Sequence, residues 1–227
     1  MEINNKKIPQ LLEKYEDMGM NNNFGFYVAK TQQIPFIDKK GLIDKKEIRL
    51  YNFLTFDNKL VFDDWKNSIN YYGNSNEILI FSISDKRGHE QYGAFNKNGE
   101  LVIYPIFDSV RFLYENTDYL VCEFNKKYGL FKKDGKQIIP VKYNNITNSN
   151  EDLLGVYYKE KWGVIDINTG IDNPKDFNQY VIPPTYDYIT PFIDGIATAS
   201  YNNQTFRINK SNEKIDVKIK VKQNKTI

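Results

Sequence analysis

The chain is poor in the residues that most often carry chemistry: its 227 residues include one cysteine, Cys122, and one histidine, His89. A lone cysteine excludes an internal disulfide framework and makes a reducing compartment the simpler reading. Within Tyr119-Leu120-Val121-Cys122-Glu123-Phe124 it reads as a small buried apolar residue, not a reactive thiol. A lone histidine excludes a histidine-based metal cluster built from this chain alone. His89-Glu90-Gln91-Tyr92-Gly93 opens like a zinc-protease motif but has no second histidine. A Cys122–His89 nucleophile pair is conceivable, and the apolar setting of Cys122 speaks against it.

Other absences narrow the field further. The glycines stand singly at turns, so no glycine-rich phosphate loop is present. Carboxylate pairs such as Asp63-Asp64 and Glu151-Asp152 read as solvated loops. No stretch approaches the roughly 20 apolar residues that cross a bilayer. Met1-Glu2-Ile3-Asn4-Asn5-Lys6-Lys7 is followed by no apolar run of the signal-peptide kind. A net charge of +2 gives no general attraction to nucleic acid or to a membrane. The expectation is a soluble, cytoplasmic protein that is not an enzyme and uses no cofactor or metal.

What the chain does hold is aromatic and β-branched: 17 Tyr and 15 Phe, with many Ile and Val. Such residues suit a pleated, half-buried surface. They recur with a period. Lys127-Tyr128-Gly129-Leu130-Phe131 is echoed upstream by Gln91-Tyr92-Gly93-Ala94-Phe95 and downstream by Lys161-Trp162-Gly163-Val164-Ile165. The glycine moves from 93 to 129 to 163, steps of 36 and 34 residues, and a fixed period of that size signals a repeat architecture. An offset of 41 also sets Tyr51 against Tyr92, Val61–Ile69 against Val102–Val110, and Ile78–Phe81 against Tyr119–Cys122, which adds a worn copy at about 50–90.

Each copy reads as a three-stranded meander. The first strand (Tyr119–Phe124, Gly155–Lys159) turns through lysines into the aromatic-Gly strand. Asn98-Gly99, Asp134-Gly135 or Thr169-Gly170 then supplies the positive φ of a type I′ hairpin. The third strand is ended by Pro105, Pro140 or Pro183, since proline cannot donate to a ladder. Asp or Asn in Phe107-Asp108-Ser109-Val110, Tyr143-Asn144-Asn145-Ile146 and Tyr186-Asp187-Tyr188-Ile189 turns the chain toward the next copy. Gly93, Gly129 and Gly163 leave room for a neighbouring copy to approach. Tyr92, Tyr128 and Trp162 are expected to form an internal ladder of rings, the alternative being a surface row that stacks a ligand.

Pro9–Met18 is the one stretch with helical spacing, Leu11, Leu12, Tyr15 and Met18 sharing a face, and it would cap the open end of the array. Ile34–Asp38 would be a second strand near the start. At the other end Ile215, Val217, Ile219 and Val221 alternate with Asp216, Lys218, Lys220 and Lys222, an edge strand guarded by lysine.

Lys161-Trp162-Gly163-Val164-Ile165-Asp166, followed by Val181-Ile182-Pro183-Pro184-Thr185-Tyr186-Asp187, resembles the signature of the bacterial WG-repeat (KWG-repeat) family. Gly195-Ile196-Ala197-Thr198-Ala199 resembles the strand that follows it, and the copies at 91–126 and 127–160 match with Tyr for Trp. The resemblance implies a binding scaffold of the sort that accompanies secretion, toxin and cell-surface systems, and it implies no catalytic residues.

The organisation expected is therefore all-β: a helical cap at 1–23, degenerate repeats at 24–90, three repeats at 91–204, and a degenerate closing repeat at 205–227. The copies would stack as an open twisted array, or alternatively curl into a small propeller-like ring. Candidate partner-binding residues are the acids Glu115, Asp118, Glu151 and Asp152, with Asp172, Asp176 and Phe177 in an insert between Gly170 and Val181 that breaks the third copy. The function expected is an immunity-type protein that binds another protein, a toxin encoded nearby, and neutralises it. The alternative is glycan or cell-envelope binding through exposed aromatics.

Overall fold

The computed structural model describes residues 15–215 apart from 22–23, 38–42, 58, 65, 67, 76, 85–87, 114–115 and 148–150. The described residues are β throughout, with one 3-10 turn at Phe177–Gln179. Among them no helix is long and apolar enough to cross a membrane.

Two compact units divide the chain. The first, Met1–Asn125 with Lys132–Lys136, opens with the sheet β1 (Asp17–Asn21), β2 (Gly25–Ile37) and β3 (Ile43–Thr55). A second sheet runs β4 (Ile69–Asn74), β5 (Ile78–Ser84), β6 (Glu90–Asn96) and β7 (Leu101–Phe107), and the hairpin β8 (Ser109–Leu113) with β9 (Asn116–Phe124) follows. The second unit, Lys126–Phe131 with Gln137–Ile227, holds the strand pair β10 (Lys127–Lys132) and β11 (Gln137–Tyr143). It continues as β12 (Asn145–Thr147), β13 (Leu153–Tyr158), β14 (Lys161–Asp166) and β15 (Ile182–Tyr186). Its last sheet is β16 (Tyr188–Ile189), β17 (Ile196–Tyr201), β18 (Gln204–Asn209) and β19 (Lys214–Ile215). In every sheet, neighbours in sequence are neighbours in space.

The repeats are therefore four-stranded, one strand more than the sequence implies. The extra strand comes from the segment read as a connection. A single bend, at Asp108, Asn144 or Asp187, ends one sheet and opens the next, with the bend N–H bonded to Glu123 O (2.8 Å), Tyr157 O (2.8 Å) or Ser200 O (2.9 Å).

The amino terminus differs too. Met18 lies in β1, paired with Val28, so no helix runs to Met18, and Pro9–Lys14 lies outside the described residues. Ile34–Ile37 belongs to the same long strand that starts at Gly25. The worn copy keeps the pairing of β6 with β7: the bridges Tyr51↔Lys66 and Leu54↔Leu60 are the pairs Tyr92↔Phe107 and Phe95↔Leu101 moved by the offset of 41.

Alternation then builds the cores. Phe24 and Phe53 of the first sheet region meet Leu79, Phe81 and Phe95 of the second, with the Phe53 and Phe95 rings 4.9 Å apart. In the second unit Leu153, Val164, Ile182 and Tyr186 face Ile189, Phe192, Ala197, Ala199 and Ile208. On the last sheet the alternate positions are Thr198, Ser200, Thr205 and Arg207, cross-paired as Ser200 with Thr205 and Thr198 with Arg207.

The turns exchange roles. At Asn98-Gly99, Asp134-Gly135 and Thr169-Gly170 only the glycine has positive φ (76°, 86° and 68°), so none is a type I′ turn. Both residues are left-handed at Asn125-Lys126, Lys159-Glu160 and Asn202-Asn203, φ 50–65°, and these are the primed hairpin turns.

Candidate interaction surface

The repeated motif is one contact device. In the copy at 161–187, Lys161 forms an ion pair with Asp187, Trp162 sits opposite Tyr186, and Gly163 faces a bulge. From Trp162 to Val164 the partner strand runs from Tyr186 to Ile182, two residues too many. The same surplus separates Tyr92↔Phe107 from Ala94↔Ile103, and Tyr128↔Tyr143 from Leu130↔Ile139. A bulge brings the surplus backbone onto the opposing strand. A Cβ on Gly93, Gly129 or Gly163 would stand 2.7, 2.8 or 2.7 Å from the carbonyl oxygen of Ile103, Ile139 or Ile182.

These glycines thus admit their own sheet's next strand, not a neighbouring copy. The prolines do not end that strand. Pro105, Pro140 and Pro183 lie inside it, at the interrupted ladder where a missing N–H costs nothing.

The rings are redistributed as well. Tyr92, Tyr128 and Trp162 are half-buried, Trp162 resting on the core and 5.1 Å from the Tyr157 ring. The deeply buried rings are those beyond the proline, Phe107, Tyr143 and Tyr186. Close approach between sheets falls to the turn glycines. A Cβ on Gly135 would stand 2.5 Å from Val102 O, and one on Gly170 2.6 Å from Ile138 O, where Ile171 N–H also bonds (3.0 Å).

Two of the candidate acids, Asp118 and Glu151, hold lysines at turns. Asp118 and Glu77 both bind Lys133 (2.8 and 2.5 Å), which holds that ammonium's pKa above its usual range, Asp118 contributing most. Glu151 accepts from Lys210 (2.7 Å) and from Gly195 N–H (3.0 Å), and its carboxyl pKa lies below the usual value, chiefly through Lys210. Asp152 is exposed at a left-handed turn and accepts Ile167 N–H through its backbone oxygen (2.8 Å). Glu115 lies outside the described residues. Lys133 and Lys210 were not singled out by sequence, although the offset of 41 that sets Glu77 against Asp118 marks the recurring position.

Asp172, Asp176 and Phe177 come together in the insert, which is ordered by its own hydrogen bonds. Gln179 donates to Asp172 Oδ1 (2.7 Å) and accepts from the N–H of Asp172 and Asn173 (3.1 and 3.3 Å). Asp176 caps the 3-10 turn by accepting Asn178 N–H (3.1 Å). Beneath, Tyr180 gives its only proton to Pro174 O (3.1 Å), so the 2.8 Å contact with Tyr143 is donated by Tyr143. Burial, then the bond to Tyr180, pushes the Tyr143 phenol up. Phe177 stands on this base with 55% of its surface exposed, its ring 6.1 Å edge-on from Tyr180.

Sheets of one plan, joined by recurring turn contacts and one repeated bulge, define a tandem β-repeat protein. Residues 92–127, 128–162 and 176–204 each match the WG-containing repeat. Over these residues, less than half of the chain, the sequence is similar to the WG-repeat family. No curated protein matches the chain.

Proposed function

We propose that the protein is a non-enzymatic binding scaffold of the immunity type, which captures a toxin encoded beside it and neutralises it. The WG-containing repeats suggest a protein-interaction scaffold. The observation that carries the reading is the insert: a loop locked by its own hydrogen bonds that holds Phe177 out to solvent. An exposed ring on a preorganised loop binds with little ordering cost, and aromatic anchors dominate interface energies. Asp172, Asn173 and Asn178 around it are exposed and polar, which suits the rim of such a contact. Co-expression with each neighbouring gene product, followed by co-purification and a growth-protection assay, tests the proposal. Binding with protection supports it, and failure to bind any neighbour counts against it.

Glycan or cell-envelope binding is the second reading. Tyr104, Tyr188 and Tyr201 favour it, exposed by 66%, 55% and 42%. A glycan array with the intact chain tests it, and loss of any hit on replacing these rings by alanine locates it.

A further inference from the structure

A cluster in the first unit has a chemistry that the insert does not share. Strand β4 brings Asn70 and Tyr72, and strand β6 brings Glu90 and Tyr92. Tyr72 donates to Glu90 Oε2 at 2.9 Å, Tyr92 donates to the same oxygen at 2.7 Å, and Asn70 Nδ2 donates to Oε1 at 3.2 Å. The two rings lie 4.8 Å apart and tilted by 57°.

The placement follows from the ladder. Asn70, Ser82 and Tyr92 are cross-strand partners on one face, and Glu90 precedes Tyr92 by two residues on the same face. Beyond Asn70, the register between β4 and β5 slips by one residue from Tyr71 to Gly73, which leaves Tyr72 as the unpaired residue of a bulge. Tyr71 packs its ring on Tyr27 and Phe53, while Tyr72 leans on Tyr92 and stays 51% exposed.

The hydrogen bonds have a direction. An ionised carboxylate only accepts, so both phenols must be donors and both phenolic protons are committed to Glu90. Three donated bonds hold the Glu90 carboxyl below its usual range, Tyr92 contributing most, and the charge persists at neutral pH. What the cluster still offers is phenol oxygen lone pairs, carboxylate lone pairs and the negative faces of two rings. Each of these attracts positive charge or an N–H donor.

We propose that Asn70, Tyr72, Glu90 and Tyr92 form a receptor for one cationic side chain, arginine or lysine, of a protein partner. The proposal rests on the protein-binding reading and adds to it a second contact with a stated chemistry. It does not recur in the copy at 161–187: the positions matching Glu90 and Tyr92 there are Glu160 and Trp162, and Glu160 lies in the left-handed turn instead of a strand.

Amide NMR of the intact, isotopically labelled chain during titration with hexa-arginine, hexa-lysine and hexa-glutamate peptides tests the site. The expected result is saturable shifts centred on Tyr72, Glu90 and Tyr92 with the cationic peptides and none there with hexa-glutamate. Glu90→Gln should weaken the cationic binding about tenfold, the scale of one charged contact, while Tyr72→Phe keeps the ring and loses less. Both positions are solvent-accessible, and an unchanged melting midpoint shows that each variant folds. Equal shifts in Glu90→Gln, or shifts scattered over other acids, overturn the proposal. If Glu90→Gln leaves the affinity for a captured partner unchanged while Phe177→Ala weakens it, the cationic receptor fails and the scaffold reading stands.

Discussion

Gly163 and Ile182 approach so closely across β14 and β15 that a side chain of one carbon on Gly163 would stand 2.7 Å from the Ile182 carbonyl oxygen. Pro184 N lies 2.8 Å from the same point, so neither neighbour is a flexible side chain that can move aside. Gly163→Ala must flatten the bulge. The expected cost is about 2 kcal/mol, typical of forced overpacking, with Gly93→Ala and Gly129→Ala similar. Urea midpoints at constant m-value measure it.

The turn glycines allow a sharper comparison. Gly170 and Gly195 share a left-handed backbone, φ 68° and 74°, yet a Cβ on Gly170 meets Ile138 O at 2.6 Å while one on Gly195 meets nothing within 4 Å. Gly195→Ala should therefore cost only the conformational penalty, about 1 kcal/mol. Gly170→Ala should cost at least about 1 kcal/mol more, because it also separates the sheets. Equal destabilisation of the two variants would remove the turn glycines from sheet packing.

Removing one hydroxyl at a time reads out the relay beneath the insert. Tyr180→Phe strands both the Tyr143 hydroxyl and the Pro174 carbonyl, whereas Tyr143→Phe leaves Tyr180 still donating to Pro174. The first variant should lose about 2 kcal/mol and the second about 1 kcal/mol. Hydrogen exchange at Asn178 should rise in Tyr180→Phe before it rises in Tyr143→Phe.

Acid sensitivity follows from Glu151, whose folded-state pKa is lowered by Lys210 and by Gly195 N–H. A depressed carboxyl pKa contributes stability above the unfolded-state value, near 4.5, and that contribution disappears as pH falls through the folded value. Glu151→Gln should accordingly be less stable than the parent at neutral pH and equal to it at strongly acid pH. Melting midpoints of both proteins from pH 7 to pH 2, converging at the acid end, check the sign.

Much of this was legible because the aromatic-Gly pairs at Tyr92, Tyr128 and Trp162 recur at steps of 36 and 34 residues, and each recurrence points to a sheet of the same plan. The roles inside the motif were not. Gly163 and Gly170 look alike in sequence, and only the register between Trp162 and Tyr186 assigns one to a bulge and the other to the contact with Ile138. The primed turns hid at Lys159-Glu160 because β-turn signals favour Asn-Gly, while tertiary pairing on both sides forces the left-handed pair there. Met18 misled through helical spacing in a segment that pairs as a strand. Phe177 was visible as a turn-rich insert, whereas the Glu90 cluster was not, since Tyr72 reaches Tyr92 only through a one-residue slip.

Under the proposed function, the hydrogen-bonded insert grips a toxin through Phe177. The most direct measurement is the concentration of purified chain needed to neutralise the bound neighbour, for the parent and for Phe177→Ala. At an unchanged melting midpoint, the variant should require at least about tenfold more protein, as expected for an aromatic anchor. Equal neutralisation by the two proteins would contradict the claim.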